Sequence, residues 1–227
     1  MNGNTKDLIA ALSRNRGLIN RDIDKSVVAM ISLLKEYGLS ESDIRLVIVR
    51  GRGLFTRSTA ALEVLLKRVQ ELGLRPGSPI FVDVLSALGS LRPDLFLARM
   101  ELFRSLGWSE GEFLAALKKS PAFTLLTEEN IREKMEFLVE KAGCTQSYIA
   151  SRPSILTFSL KKRLMPRHYM INILKSMELV WGEWDFRTLM CIPENKFVDT
   201  FILQHKYEAP RLLEMYDAAC AGEFLSD

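Results

Sequence analysis

The stretch that decides the fold reads Met100-Glu-Leu-Phe-Arg-Ser-Leu-Gly107-Trp108-Ser109-Glu-Gly-Glu-Phe-Leu-Ala-Ala-Leu-Lys-Lys-Ser120-Pro121. Before Gly107 the apolar residues fall at i, i+3 and i+4, the spacing of one buried helix face. Glycine after such a run takes the left-handed conformation that ends a helix without a Cβ clash. Trp108 then folds back on the helix just ended, and Ser109 caps the next one by accepting from its unpaired N–H groups. Ser109 and Glu112 have the spacing of a capping box. The second helix, expected over 110–119, stops at Ser120-Pro121, because proline disfavours α geometry in the residue before it and cannot continue the hydrogen-bond ladder.

The same corner recurs on both sides. Gly38, Gly73, Gly107 and Gly143 are separated by 35, 34 and 36 residues. Amphipathic runs at 31–37, 65–72 and 135–142 precede the other three, and Leu39, Leu74 and Cys144 follow them. Ser40 (paired with Asp43) and Thr145 stand where Ser109 does. Thirty-five residues past Gly143 comes Glu178, followed by Leu179, which marks a fifth, degenerate corner. A regular period of this size means stacked supersecondary units. The remaining second helices are expected over 41–50, 78–88 and 146–151. After Ser120-Pro121 and Arg152-Pro153 come apolar stretches at 122–126 and 155–158, expected as short connectors of 3₁₀ type that plug the core before the next unit. No alternating strand pattern and no Asn-Gly or Asp-Gly hairpin signal competes with this all-α reading.

Charge is distributed unevenly along the chain. The net charge of +3 is small, but residues 152–175 hold six bases (Arg152, Lys161, Lys162, Arg163, Arg167, Lys175) and no acid. Residues 176–227 hold four bases against ten acids. Ser159 is placed to cap a helix starting at Leu160, with Leu160, Leu164, Ile171 and Leu174 inward and Lys161, Lys162 and Arg163 on the opposite arc. Pro166 is expected to kink or restart that helix near Met165. A backbone-binding protein needs several cations along one face, since each neutralised phosphate releases a counterion. In a solenoid, successive helix ends line one edge, so Arg50, Arg52, Lys118, Lys119, Arg132 and Arg152 join the Lys161–Arg163 group in a candidate stripe.

Other chemistries find little support. Cys144, Cys191 and Cys220 lie 47 and 29 residues apart, which fits no metal-ligand spacing, and their sparse, odd number argues against a disulfide framework. His168 and His205 have no partner at ligand or triad spacing, and no phosphate loop, dinucleotide fingerprint or zinc-protease motif occurs. No enzyme activity, cofactor or metal is therefore expected. Trp181 and Trp184 are read as packing at the end of the array rather than as base-stacking residues. No run of about 18 apolar residues exists, so the sequence offers no spanning helix. Residues 1–25 lack the apolar stretch of a signal peptide, and Asp7, Asp22 and Asp24 break the acid-poor rule of transit peptides. Either the chain is not imported or a presequence lies outside it.

The chain resembles the mitochondrial transcription termination factor (mTERF) family in its land-plant form. The resemblance rests on Ser120-Pro121, Arg152-Pro153-Ser-Ile-Leu156, Leu160-Lys-Lys-Arg163 with Pro166-Arg167, and the closing Lys196-Phe-Val198 through Ala209-Pro-Arg-Leu-Leu213 to Tyr216. It implies a right-handed helical-repeat superhelix, an α-solenoid of helix–helix–3₁₀ units. It implies an organellar regulator, mitochondrial or else chloroplast, that binds duplex DNA or structured RNA along a basic groove. Carried over onto this sequence, the matching positions are Arg152, Lys161, Lys162, Arg163 and Arg167; Lys118, Lys119 and Arg132 come from the solenoid-edge argument. Two places depart from the family pattern. Gly51-Arg52-Gly53 stands where a proline is expected, and Leu74-Arg75-Pro76-Gly77-Ser78-Pro79 replaces the plain corner, placing Pro79 early in its helix. The expected organisation is a helical lead-in at 1–27, about five units plus a helical cap at 28–218, and a tail at 219–227. The expected state is a monomer off the membrane. Its acidic C-terminal face suits a protein partner, and a protein-binding scaffold is the alternative function.

Overall fold

The computed structural model describes residues 23–51, 54–78, 80–180 and 184–224. Those residues form helices and turns, with no strand among them. The chain divides into two compact units, Met1–Glu128 and Glu129–Asp227.

The first unit holds α1 (Ile23–Glu36), α2 (Glu41–Arg50), α3 (Thr59–Glu71), α4 (Phe81–Ser90), α5 (Pro93–Ser105) and α6 (Glu110–Lys119). Short 3₁₀ turns follow α2 (Leu54–Thr56) and α6 (Pro121–Leu125). The α5–α6 corner is built as its sequence dictates. Gly107 has φ +91°, Trp108 N–H donates to Phe103 O at 3.0 Å, and Ser109 and Glu112 close a reciprocal capping box. The Ser40–Asp43 pair closes a second box at α2. Phe103, Trp108, Phe113 and Phe123 meet at ring-centroid distances of 4.5–5.7 Å, so the 3₁₀ turn after Pro121 contributes Phe123 to the aromatic core.

The expected helix over 78–88 starts three residues late, at Phe81. Arg75 to Ser78 form a turn instead, with Gly77 at φ +81° and Ser78 N–H bonded to Arg75 O at 3.1 Å. The expectation for Pro79 lies outside the described residues. Without a proline after α2, the chain leaves through Gly51 and still forms its 3₁₀ turn. Leu54 of that turn packs against Gly89 of α4 so closely that a Cβ on Gly89 would overlap it.

The second unit holds α7 (Glu128–Glu136), α8 (Gln146–Ser151), α9 (Met165–Ser176), α10 (Phe186–Cys191), α11 (Glu194–Phe201) and α12 (Leu212–Ala221). The 3₁₀ turn Pro153–Thr157 follows α8 and buries Ile155 and Leu156. Two π turns were not expected. Phe137–Lys141 prolongs α7 and Leu160–Leu164 leads into α9. The first explains the longest glycine interval. At the other corners the folded-back N–H reaches five residues back, as Leu39 does to Leu34 O, but Cys144 reaches six, to Leu138 O at 2.8 Å. The second lies directly before Pro166, whose missing N–H interrupts the ladder, and the α-helix restarts at Met165. The degenerate corner is real: Glu178 takes φ +57°, and Leu179 N–H donates to Leu174 O at 2.9 Å. Trp184 packs edge-to-face on Phe201 at 5.2 Å; Trp181 lies outside the described residues.

Candidate nucleic-acid interface

The basic run of the second unit opens on Ser159, whose Oγ accepts from Lys162 N–H at 3.1 Å. Its backbone carbonyl accepts from both Arg163 and Leu164. The N–H groups of Leu160 and Lys161 precede these and point out of the helix end. Lys161 and Lys162 are exposed; Arg163 is half-buried with its guanidinium 5.1 Å from the Phe158 ring centroid. Leu164, Ile171 and Leu174 are buried and Leu160 partly so, which fixes the cations on the outer arc. Exposed ammonium groups, an N-terminal helix turn and the absence of any acid from 152 to 175 together attract anions.

Arg152 is less available. Its guanidinium lies over the Tyr148 ring at 4.3 Å, bonds Ser151 Oγ at 2.9 Å, and stands 3.7 Å from Asp185. Tyr148 O–H donates to the same carboxylate at 2.7 Å. Burial, then that hydrogen bond, pushes the Tyr148 phenol up to about 12. The Tyr148 hydrogen bond, helped by Thr188 and Arg152, holds Asp185 below the usual carboxylate range. Asp185 also caps α10 through Thr188 N–H, so Arg152 faces an acid fixed in place by other bonds.

Arg167 is not on a surface, contrary to expectation. Its side chain is 0% exposed. Nη1 donates to the carbonyls of Leu189 at 2.8 Å and Ile192 at 2.7 Å, closing the C-terminal end of α10. Nη2 pairs with Glu194 at 2.6 Å, and the guanidinium lies over the Phe197 ring. Tyr216 O–H donates to the other Glu194 oxygen at 2.6 Å. One buried arginine thus ties α9 to α10, α11 and, through Glu194, α12. Partial burial pushes the Glu194 carboxyl up, but the hydrogen bonds from Tyr216 and Arg167 and the charges of Arg167 and Arg163 outweigh it and hold the group below its ordinary value.

The remaining candidates sit elsewhere. Lys118 and Lys119 are exposed in the last turn of α6, in the first unit, where cations complement the helix dipole. Arg50 is in the same relation to α2 and pairs with Asp83 at 3.0 Å; Arg52 lies outside the described residues. Arg132 is exposed on α7 with Glu128, Glu129 and Glu136 three or four residues away, the spacing at which helical side chains meet. The structure therefore brings Lys161, Lys162 and Arg163 together on one turn, with Arg152 engaged by Tyr148 and Asp185.

Sequence reasoning missed the buried cations. Lys134 is 3% exposed and donates from Nζ to Leu156 O at 2.7 Å, and burial pushes its ammonium pKa down. Arg99, Lys134 and Arg167, all on first helices, are the buried cations among the described residues, spaced 35 and 33 apart. That spacing is the repeat period, but it does not by itself separate them from surface bases, since the exposed Arg104, Lys141 and Lys175 recur at 37 and 34.

Among the described residues no helix is long and apolar enough to cross a membrane. No curated protein matches the chain. The family model described as mTERF matches residues 5–198. With helix pairs turning at glycine corners, 3₁₀ turns after Pro121 and Pro153, and that match over most of its length, the chain belongs to the mTERF family, helical-repeat nucleic-acid-binding regulators of organellar gene expression.

Proposed function

We propose that the chain docks the phosphate backbone of duplex DNA or structured RNA, without catalysis, and so controls transcription termination or RNA processing in the mitochondrion, the chloroplast being the alternative compartment. The observation that carries this is the Ser159-capped turn: two exposed lysines and a half-buried arginine at a helix N-terminus, in a stretch with no acid. Lys161 and Lys162 bind phosphate directly, Arg163 flanks them, and Arg152 contributes where a phosphate outcompetes Asp185. Lys118, Lys119 and Arg132 play a secondary part. The protein works as a monomer in this reading.

The test is salt-dependent binding of a DNA duplex and of an RNA hairpin. Replacing Lys161, Lys162 and Arg163 together with alanine is expected to weaken both uniformly across sequences. It should also reduce the log–log salt slope by roughly one unit for each phosphate that is no longer neutralised. An unchanged slope, or no binding at low salt, overturns the reading. A specific surface favours a protein partner as well: Tyr207 is 82% exposed, beside Glu208 and near exposed Leu203 and Leu213 in sequence. If the wild type binds no nucleic acid, that C-terminal face becomes the functional surface.

A further inference from the structure

In the first unit a cavity of about 350 Å³ opens between the C-terminal ends of α2 and α6, along one face of α4. Arg50 and Lys119 line it from the two helix ends, and Asp83, Ser86 and Ser90, spaced three and four residues apart, line it from α4. Arg50 Nη1 donates to Asp83 Oδ1 at 3.0 Å, and both side chains remain partly exposed, at 49% and 39%. Ser90 Oγ donates to Ser86 O at 2.7 Å. Ser86 is 8% exposed and its Oγ has no hydrogen-bond partner.

A carboxylate in this position is informative. The two cations suit phosphates, but Asp83 repels them unless the ligand also supplies a hydrogen-bond donor. The sugar–phosphate backbone of DNA has none. That of RNA has one on every residue, the 2′-hydroxyl, which is what lets a protein tell the two apart at a given site. We propose that this cavity seats a ribonucleotide of an RNA backbone, with Arg50 and Lys119 on its phosphates and Asp83 accepting from the ribose 2′-hydroxyl. The proposal rests on the nucleic-acid reading above and deepens it: the first unit selects RNA, while the Ser159 turn supplies affinity without regard to sugar.

The experiment uses one hairpin sequence made as RNA, as DNA, and as RNA carrying 2′-fluoro on every sugar, which keeps the A-form but removes the donor. Each is titrated with the full chain, wild type and Asp83→Ala, at one fixed salt concentration. The wild type is expected to prefer RNA over both others by about ten-fold, the worth of one charge-assisted hydrogen bond. In Asp83→Ala the two effects have opposite signs. RNA binding weakens, while DNA binding strengthens because Arg50 loses its carboxylate partner, and the ratio falls towards one. A residue that merely supported the fold would weaken both. Asp83→Asn, which preserves shape, gives the same gain on DNA if alanine disturbs folding. Equal wild-type binding of RNA and 2′-fluoro RNA, a preference for DNA, or a ratio untouched by Asp83→Ala and Asp83→Asn overturns this proposal and leaves the nucleic-acid reading standing. No binding of any of the three overturns that reading itself.

Discussion

Arg167 illustrates the scale of single residues. A buried guanidinium is tolerated only where acceptors surround it. Here two carbonyls at the end of α10 and the Glu194 carboxylate supply them, although Nε has no partner. Arg167→Met is expected to lower stability by about 3 kcal/mol, because those carbonyls lose their donor and Glu194 its ion; urea unfolding measures it. The pH dependence follows from Glu194, whose carboxyl is held below its ordinary 4.5. A depressed carboxylate stabilises fully above that ordinary value and loses its contribution as pH falls through the lowered one. The wild type should therefore lose the part of its advantage over Arg167→Met that comes from Glu194 as the solution is acidified below about pH 4.5, while the part from the backbone carbonyls remains. The family resemblance put Arg167 on the interface, as part of the motif Leu160-Lys-Lys-Arg163 with Pro166-Arg167. Charge along a sequence does not reveal which side of a helix a residue faces. The period alone does not either, because the exposed Arg104, Lys141 and Lys175 recur at nearly the same interval as Arg99, Lys134 and Arg167.

At the scale of elements, the corners were legible because glycine at a helix end has a single conformational reason to be there. Two of the four expected second helices begin with a reciprocal capping box, and Thr145 caps a third. The fifth corner was legible from spacing although its residue is wrong for the job. Glu178 carries a Cβ into the left-handed region at φ +57°, which Gly143 enters at +67° without one. Glu178→Gly is accordingly expected to raise stability by roughly 0.5–1 kcal/mol, the relief of strain less the extra freedom glycine gives the unfolded chain. Thermal melting should show Tm rising by about 2–4 °C per kcal/mol for a chain of this size. The late start of α4 was not legible, since Ser78 looks like a cap until Gly77 turns the chain away from it. Neither π turn was legible, because a π turn is a property of backbone hydrogen-bond register rather than of side-chain type.

At the scale of the molecule, repeats that pack only on their neighbours make stability local. Each of the two units has its own core, aromatic around Phe103 in the first and built on Leu138, Ile155, Leu164 and Leu174 in the second. Amide hydrogen exchange on Arg167→Met should show weaker protection in α9 to α12 and unchanged protection in α1 to α4; uniform weakening across the chain would contradict this. The π turns bear on how such a chain tolerates change in length. One residue inserted into a regular helix turns everything after it by about 100° and would swing core side chains into water. A π turn absorbs the extra residue within a single loop of the helix. The segment that presents Lys161, Lys162 and Arg163 is such a loop, and Leu164, Ile171 and Leu174 stay buried behind it. One residue more or fewer is thereby accommodated at the basic turn itself, without a compensating change elsewhere in the repeat.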